Sequence, residues 1–375
     1  MTDDGRTLFY AVGDVAPDRP DPRECFDLVR DRLREADVAF CQLEINLTER
    51  GTRLPQARHT LRGDPAIAPA LKEAGFSVVS WAGNHCMDWG QEGFFDTIDY
   101  LKAQNLGVVG AGRDIDEARK PLFVDTPGGR IAFVACSSIL PQDYWATDRR
   151  PGCVPMRAHT VYEQIEHDQP GTPARIHTFP HKDDLEALCA DIRAAKSEAE
   201  VVVVSIHWGI HFVEATLADY QRIVAYAAID AGADLILGHH AHILKGVEVH
   251  KGAPILYSLC NFAVDLRMDE AHATSKSFNE IRGLNPNWVP DFDSLYNFPS
   301  DSRMTLVART EIEHGAIRGF SLLPAYVNRN AQPEILTADD PRFGEVKAYL
   351  EKISAAAGLN TRFEARGDEL VPLQG

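Results

Sequence analysis

The chain has 375 residues, 45% hydrophobic and 25% charged, the proportions of an ordinary globular protein. Its 38 Lys and Arg against 55 Asp and Glu leave a formal net charge of −17. That disfavours nucleic acid and anionic membrane surfaces as partners, but leaves a small anionic substrate open, because a bound metal inverts the local field.

In chain order, residues 7–12 read as a strand ending at Gly13-Asp14, and Asp21-Pro22-Arg23-Glu24 as a helix start that leads Phe26, Val29 and Leu33 onto one face. Residues 37–43 form the next strand, ending at Glu44. A short helix suits 65–74, and 76–82 is a buried strand ending at Gly83-Asn84-His85. Asp88, with Gln91 three residues on, is placed to cap the helix that buries Phe94, Ile98 and Leu101. Strands follow at 106–110 and 130–136, a helix at 183–197, and a strongly apolar strand at 200–206 that runs into His207. A helix at 218–231, a strand at 234–237 before Gly238-His239-His240, a strand at 254–259, a hairpin at 303–312 and 316–323, and a helix at 341–357 complete the pattern. Near-continuous apolar strands alternating with helices imply an α/β fold with buried, partly parallel sheets, and the late hairpin makes them mixed. Nothing marks a linker, so one domain over 1–375 is expected, with irregular lid or loop insertions near 138–182 and 264–302.

No apolar run approaches the ~20 residues of a membrane span. Met1 to Arg6 is polar and lacks the basic and apolar regions of a secretory leader. The seven cysteines are scattered, with no C-x-x-C, which reads as buried reduced thiols. A cytoplasmic protein with no membrane partner is the expectation.

The chemistry collects where strands stop. Asp14, Glu44, Asn84, His85, His207, His240 and His242 sit at five strand ends, which is where α/β sheets bind ligands. Carboxylates, an amide oxygen and imidazoles without thiolates suit Mn, Fe or Zn. Taken singly, each has a plainer reading: Asp14 in a turn, Glu44 as a strand-end charge, Asn84-His85 as a helix-entry turn. His207 follows four valines and Ile206, so a charged ring there would be costly; it must be neutral, hydrogen-bonded or liganded. Three histidines within Gly-His-His-Ala-His are rarely core filler.

The ordered set GDV, QLEINLT, AGNHCMDWGQEG, SIHWG and GHHAHILKGVEVHKGAPILYSLCNF resembles the CapA family of poly-γ-glutamate capsule-assembly proteins, which is similar in turn to the calcineurin-like metallophosphoesterases. The likeness runs from residue 8 to about 335. It implies a four-layer α/β/β/α sandwich of two mixed sheets with a site for one or two divalent ions between the sheet ends. Under it Asp14 is the first-strand ligand, Glu44 stands for the bridging carboxylate, and Asn84 is the amide ligand. His85 is the catalytic acid, His207 the isolated strand-end ligand, and His240 and His242 the final His-x-His pair. Two positions depart from the pattern. The first motif is Asp14-Val15-Ala16 rather than Asp-x-His, which removes a ligand, and Cys260 precedes Asn261 where Gly is expected.

The segment 53–62 brings Arg53, Arg58, His59 and Arg62 into an acidic chain. It is either a solvated loop or an anion clamp, with Arg62, Arg58 and the extra imidazole of His239 as substrate contacts. Two functions follow. One is a metal-dependent hydrolase of a γ-glutamyl, amide or phosphoester bond in a small anionic substrate. The other is a non-catalytic binding or polymer-assembly protein with a degraded metal site.

Overall fold

A computed structural model of the chain describes residues 5–57, 59–359 and 361–374. Its larger sheet runs in the order Thr361–Arg366, Glu369–Gln374, Ala316–Val327, Met304–Glu313, Arg6–Ala16, Val38–Leu43, Val78–Ser80, Gly107–Val109. Asn261–Val264 pairs beside Arg6–Ala16, and Pro333–Ile335 beside Ala316–Val327. The second sheet has the order Val247–His250, Ala253–Leu256, Leu235–His239, Val201–His207, Gly129–Ser137, Leu122–Thr126. Both are mixed. Arg6–Ala16 runs parallel to Val38–Leu43 and antiparallel to Met304–Glu313. The second sheet has four parallel inner strands and an antiparallel strand at each edge.

The four-valine run shows why there are four layers. Val201 and Val203 point into the core shared with the larger sheet. Val202, Val204 and Ile206 point into a second core with the helices Lys182–Lys196 and Asp219–Asp230. A strand covered on both faces has no polar side, so its sequence does not alternate. Phe133 joins the two sheets, stacked on Phe40 at 6.0 Å and edge-on to Phe9 at 5.6 Å. The helices Ile67–Ala74 and Gly90–Ala103 cover the larger sheet through Leu71, Phe94 and Leu101.

The first helix differs from its expectation. Asp21 does accept from the Arg23 amide, but the segment breaks into a 3₁₀ turn, Pro22–Phe26, and one helical turn, Arg30–Leu33. Phe26, Val29 and Leu33 are buried all the same. The strands Leu122–Thr126, Val247–His250 and the terminal hairpin Thr361–Arg366 and Glu369–Gln374 escape the sequence reading. They are short or half-polar strands near the sheet edges, each paired in a hairpin with its neighbour in sequence, and their mixed polarity hides the two-residue period. The two irregular stretches part ways: 138–182 carries an exposed hairpin, Ala158–Glu163 with Arg175–Pro180, while 264–302 holds two short helices, Glu270–Ala273 and Lys276–Arg282. All seven cysteines are buried and unpaired. Among the described residues no helix is long and apolar enough to cross a membrane.

Candidate metal centre

Parallel strands that end together deliver their last side chains to one place. Asp14 lies in register with Gln42 and Asn261, and Glu44 comes just past the end of Val38–Leu43. His207 and His239 end neighbouring strands in register. Asn84 and His85 occupy the turn between Val78–Ser80 and the helix Gly90–Ala103. Two groups of three result: Glu44, His207 and His240, and Asp14, Glu44 and His242, the ligand atoms within each lying within 4.8 Å of one another. Glu44 belongs to both.

The chain bends sharply to reach these positions. His240, His242 and Cys260 have φ of +83°, +54° and +66°, a left-handed conformation that costs a non-glycine residue roughly 1 kcal/mol or more. Cys260 therefore keeps the turn that the resemblance assigns to Gly. Next to it only Gly fits at position 13, since a Cβ there would meet the Cys260 carbonyl oxygen at 1.8 Å. That close approach lets the Asp14 amide donate to the same oxygen at 3.0 Å.

Hydrogen bonds fix the rings. His242 Nδ1 lies 2.8 Å from Asn261 Oδ1, so as a donor it leaves Nε2 aimed at Glu44 Oε1, 3.7 Å away. The Asn261 amide nitrogen in turn donates to the Tyr296 hydroxyl, which donates to the Ser302 carbonyl. His207 Nε2 sits 2.6 Å from Asn84 Oδ1 and 3.5 Å from Glu44 Oε1. Asp14 accepts from the His240 amide at 3.1 Å and faces His239 Nδ1 at 3.4 Å.

Several of these buried atoms have no hydrogen bond: Glu44 Oε1, His207 Nδ1 and His240 Nδ1. A buried polar atom left so costs ~1–3 kcal/mol, and such atoms on all three residues of the Glu44, His207 and His240 triad fit a divalent ion. The protonation states agree. Burial pushes His207 down to about 3, with Asp14 partly opposing, and burial together with the His207 ring holds His240 well below the usual range. Neutral imidazole is the form that ligates. For Asp14, burial acts upward but is outweighed by His239, His207 and His242, and its carboxyl stays low. Burial, then Asp14 and Asp88, push the Glu44 carboxyl well above its ordinary value, and a nearby cation acts in the opposite sense.

Asp88 corrects one expectation. The helix Gly90–Ala103 is preceded by Trp89 with no side-chain cap. The fully buried Asp88 instead accepts from His85 Nδ1 at 2.7 Å, the Leu61 amide at 2.8 Å and the Tyr144 hydroxyl at 3.0 Å. That pins His85 and leaves its Nε2 for the cavity that the ring lines.

This cavity, about 440 Å³, opens over Glu44, Asn84, His85, His240 and His242. His59, His211 and His272 also line it, three imidazoles that strand-end reasoning missed because two come from loops and one from the short helix Glu270–Ala273. Two expected substrate contacts lie elsewhere. His239 has the strand parity of Leu235 and Leu237, so it faces the other sheet, fully buried against Asp14 and Phe40. Arg62 donates to the Thr48 carbonyl and lays its guanidinium 4.5 Å from the Trp89 ring centroid, away from the cavity wall. Arg58 lies outside the described residues. Ala16, at the missing-histidine position, is buried in its strand, paired with Val264.

The sequence profile of the family described as "Bacterial capsule synthesis protein PGA_cap" matches residues 8–266. The "Probable polyglutamine synthesis accessory protein" of Mycobacterium tuberculosis strain H37Rv is 31% identical over 339 residues, covering 89% of this chain and 76% of that protein. The "PGA biosynthesis protein CapA" of Bacillus subtilis is 34% identical over 196 residues, 52% of this chain and 44% of that protein, so the chain spans less than half of that relative. Among solved structures, the calcineurin-like phosphoesterase YfkN from Bacillus subtilis aligns over 94% of this chain and 97% of its own, at 10% identity and a TM-score of 0.39. A hypothetical protein from Thermus thermophilus aligns over 84% of this chain and 98% of its own, at 17% identity and a TM-score of 0.43.

Proposed function

The chain belongs to the bacterial capsule synthesis protein family, PGA_cap, and from that premise we propose that it is a metal-dependent hydrolase acting on a phosphoester or γ-glutamyl amide bond. The observation that carries this reading is the pair of ligand triads sharing Glu44, with unbonded buried atoms on Glu44 and His240, which line a cavity. Glu44, His207 and His240 would hold one ion, and Asp14, Glu44 and His242 the other, with Asn84 beside His207.

Bound there, a divalent ion lowers the pKa of water and polarises a phosphoryl or carbonyl oxygen. The chain's own residues supply the rest. Asn261 orients His242, and Asn84 orients His207. Asp88 holds His85 by Nδ1, so that Nε2 carries the proton for the leaving atom. Hydrolysis adds water across the P–O or C–N bond: the water oxygen joins phosphorus or carbon, the leaving atom takes the His85 proton, and the ring regains one from that water.

One observation favours the non-catalytic reading. Ala16 occupies the position of the Asp-x-His imidazole, so the triad of Asp14 lacks a ligand there. An activity screen on metal-loaded protein with p-nitrophenyl phosphates and γ-glutamyl anilides separates the two. Turnover lost on His85→Asn supports the hydrolase; absence of turnover in protein shown to carry metal supports the assembly role.

A further inference from the structure

Beside the ligand cluster, the cavity has an aromatic wall. Phe212, Met268, Phe278 and Trp288 form one buried cluster, with Phe298 packed against it, and all five line the cavity. The Trp288 ring lies 4.9 Å from Phe212, 5.0 Å from Phe278 and 6.3 Å from Phe298, the last stacked at 15°. Its Nε1 donates to the Asn297 carbonyl at 2.9 Å, so the ring is pinned and its polar atom already used. The Phe212 backbone is held at φ +62°.

The wall touches the chemistry. His242, in one ligand triad, has its ring 5.4 Å from Phe212 and 5.3 Å from Phe298. A substrate bound at Glu44 and His242 would therefore have aromatic side chains beside it. There is room for it: an apolar cavity of ~150 Å³ takes up benzene, against about 440 Å³ here. Beside this wall the polar lining is imidazole, amide and hydroxyl, from His59, His211, His272, Gln56 and Ser277.

We propose that this cavity selects a substrate carrying one aromatic or branched apolar group beside the hydrolysed bond. The inference rests on the hydrolase reading above and names its substrate class. Metal-loaded protein, its metal content measured first, is titrated calorimetrically with benzylphosphonate, methylphosphonate and tri-γ-glutamate. Burying a phenyl ring should make benzylphosphonate roughly 10- to 100-fold tighter than methylphosphonate. Phe298→Ala, at a half-buried position, and Trp288→Ala should each shrink that ratio, and either variant suffices if the other fails to fold. Equal affinities for the two phosphonates, or tighter binding of tri-γ-glutamate, in protein that carries metal overturn this inference and leave the metal reading standing. Metal at background overturns the hydrolase reading, and this inference with it.

Discussion

Because Glu44 belongs to both ligand triads, while His240 and His242 each belong to one, single substitutions should remove ions in unequal numbers. Wild type loaded with Mn, Fe or Zn and freed of excess by gel filtration is expected to hold two ions. His240→Ala and His242→Ala should each hold one, and Glu44→Gln none. Each ion should also stabilise the fold by mass action, ~2.7 kcal/mol at about 100 times its Kd. Unfolding entropy of ~2.1 cal/mol/K per residue over 375 residues gives ~0.8 kcal/mol/K, so each ion should raise Tm by ~3 °C. Elemental analysis reads the stoichiometry, and melts with and without chelator read the stabilisation. Glu44→Gln protein with wild-type metal content would refute the shared-ligand geometry. So would complete loss in both histidine variants, which would mean a single site fed by all the ligands.

Three further outcomes follow from the structure. His85→Asn should keep its metal and lose ~10²–10⁴-fold in kcat, most on poor leaving groups, and Asp88→Asn should lose part of the same factor by freeing the ring; full kcat in His85→Asn would make that residue a bystander. Burial pushes the Lys245 ammonium down from an ordinary 10.5 to about 8, and its Nζ donates to the Val213 and Thr216 carbonyls. Between these values the unfolded chain binds more protons than the folded one, so wild type should gain up to ~3 kcal/mol on Lys245→Met as pH rises from about 8 to 10.5, a gain lost as pH falls back through 8; urea denaturation of both proteins across that window checks the slope, and a constant difference refutes it. Phe133→Ala opens the layer between the sheets and should cost ~3–5 kcal/mol in the same assay, a cost near zero meaning that the sheets do not meet there.

Much of this site is local in origin, and the rest is not. An apolar run that stops at Glu44, His207 or Gly238-His239-His240 announces a buried strand and a polar end in the same few residues. Because parallel strands stack their ends, the sequence by itself placed Asp14 and Glu44 at neighbouring strand ends, and His207 and His239-His240 likewise, while the packing of the two sheets brought the two sets together. The sequence also marked Val201 to Val204 as a strand with no polar side, while the two cores between which these valines alternate were seen only in the structure.

Which atoms face which was decided by the tertiary structure. His239 and His240 are neighbours in sequence, but strand parity sends one toward Phe40 and Asp14, while a left-handed turn carries the other to the cavity. Asp88 looks like a helix cap until Tyr144, 56 residues away, and Leu61 share its carboxylate with His85. The histidines His59 and His211 in loops and His272 in a one-turn helix, and the wall of Phe212, Trp288 and Phe298, carry no periodic signal. Loops take their direction from the elements they cross, and those contacts are set by sheet pairing between residues hundreds apart, as between Asp14 and Asn261. Arg62 is the converse case: its charge suggested a clamp, but the Trp89 ring and the Thr48 carbonyl, each within reach, hold it on the far side of its own loop.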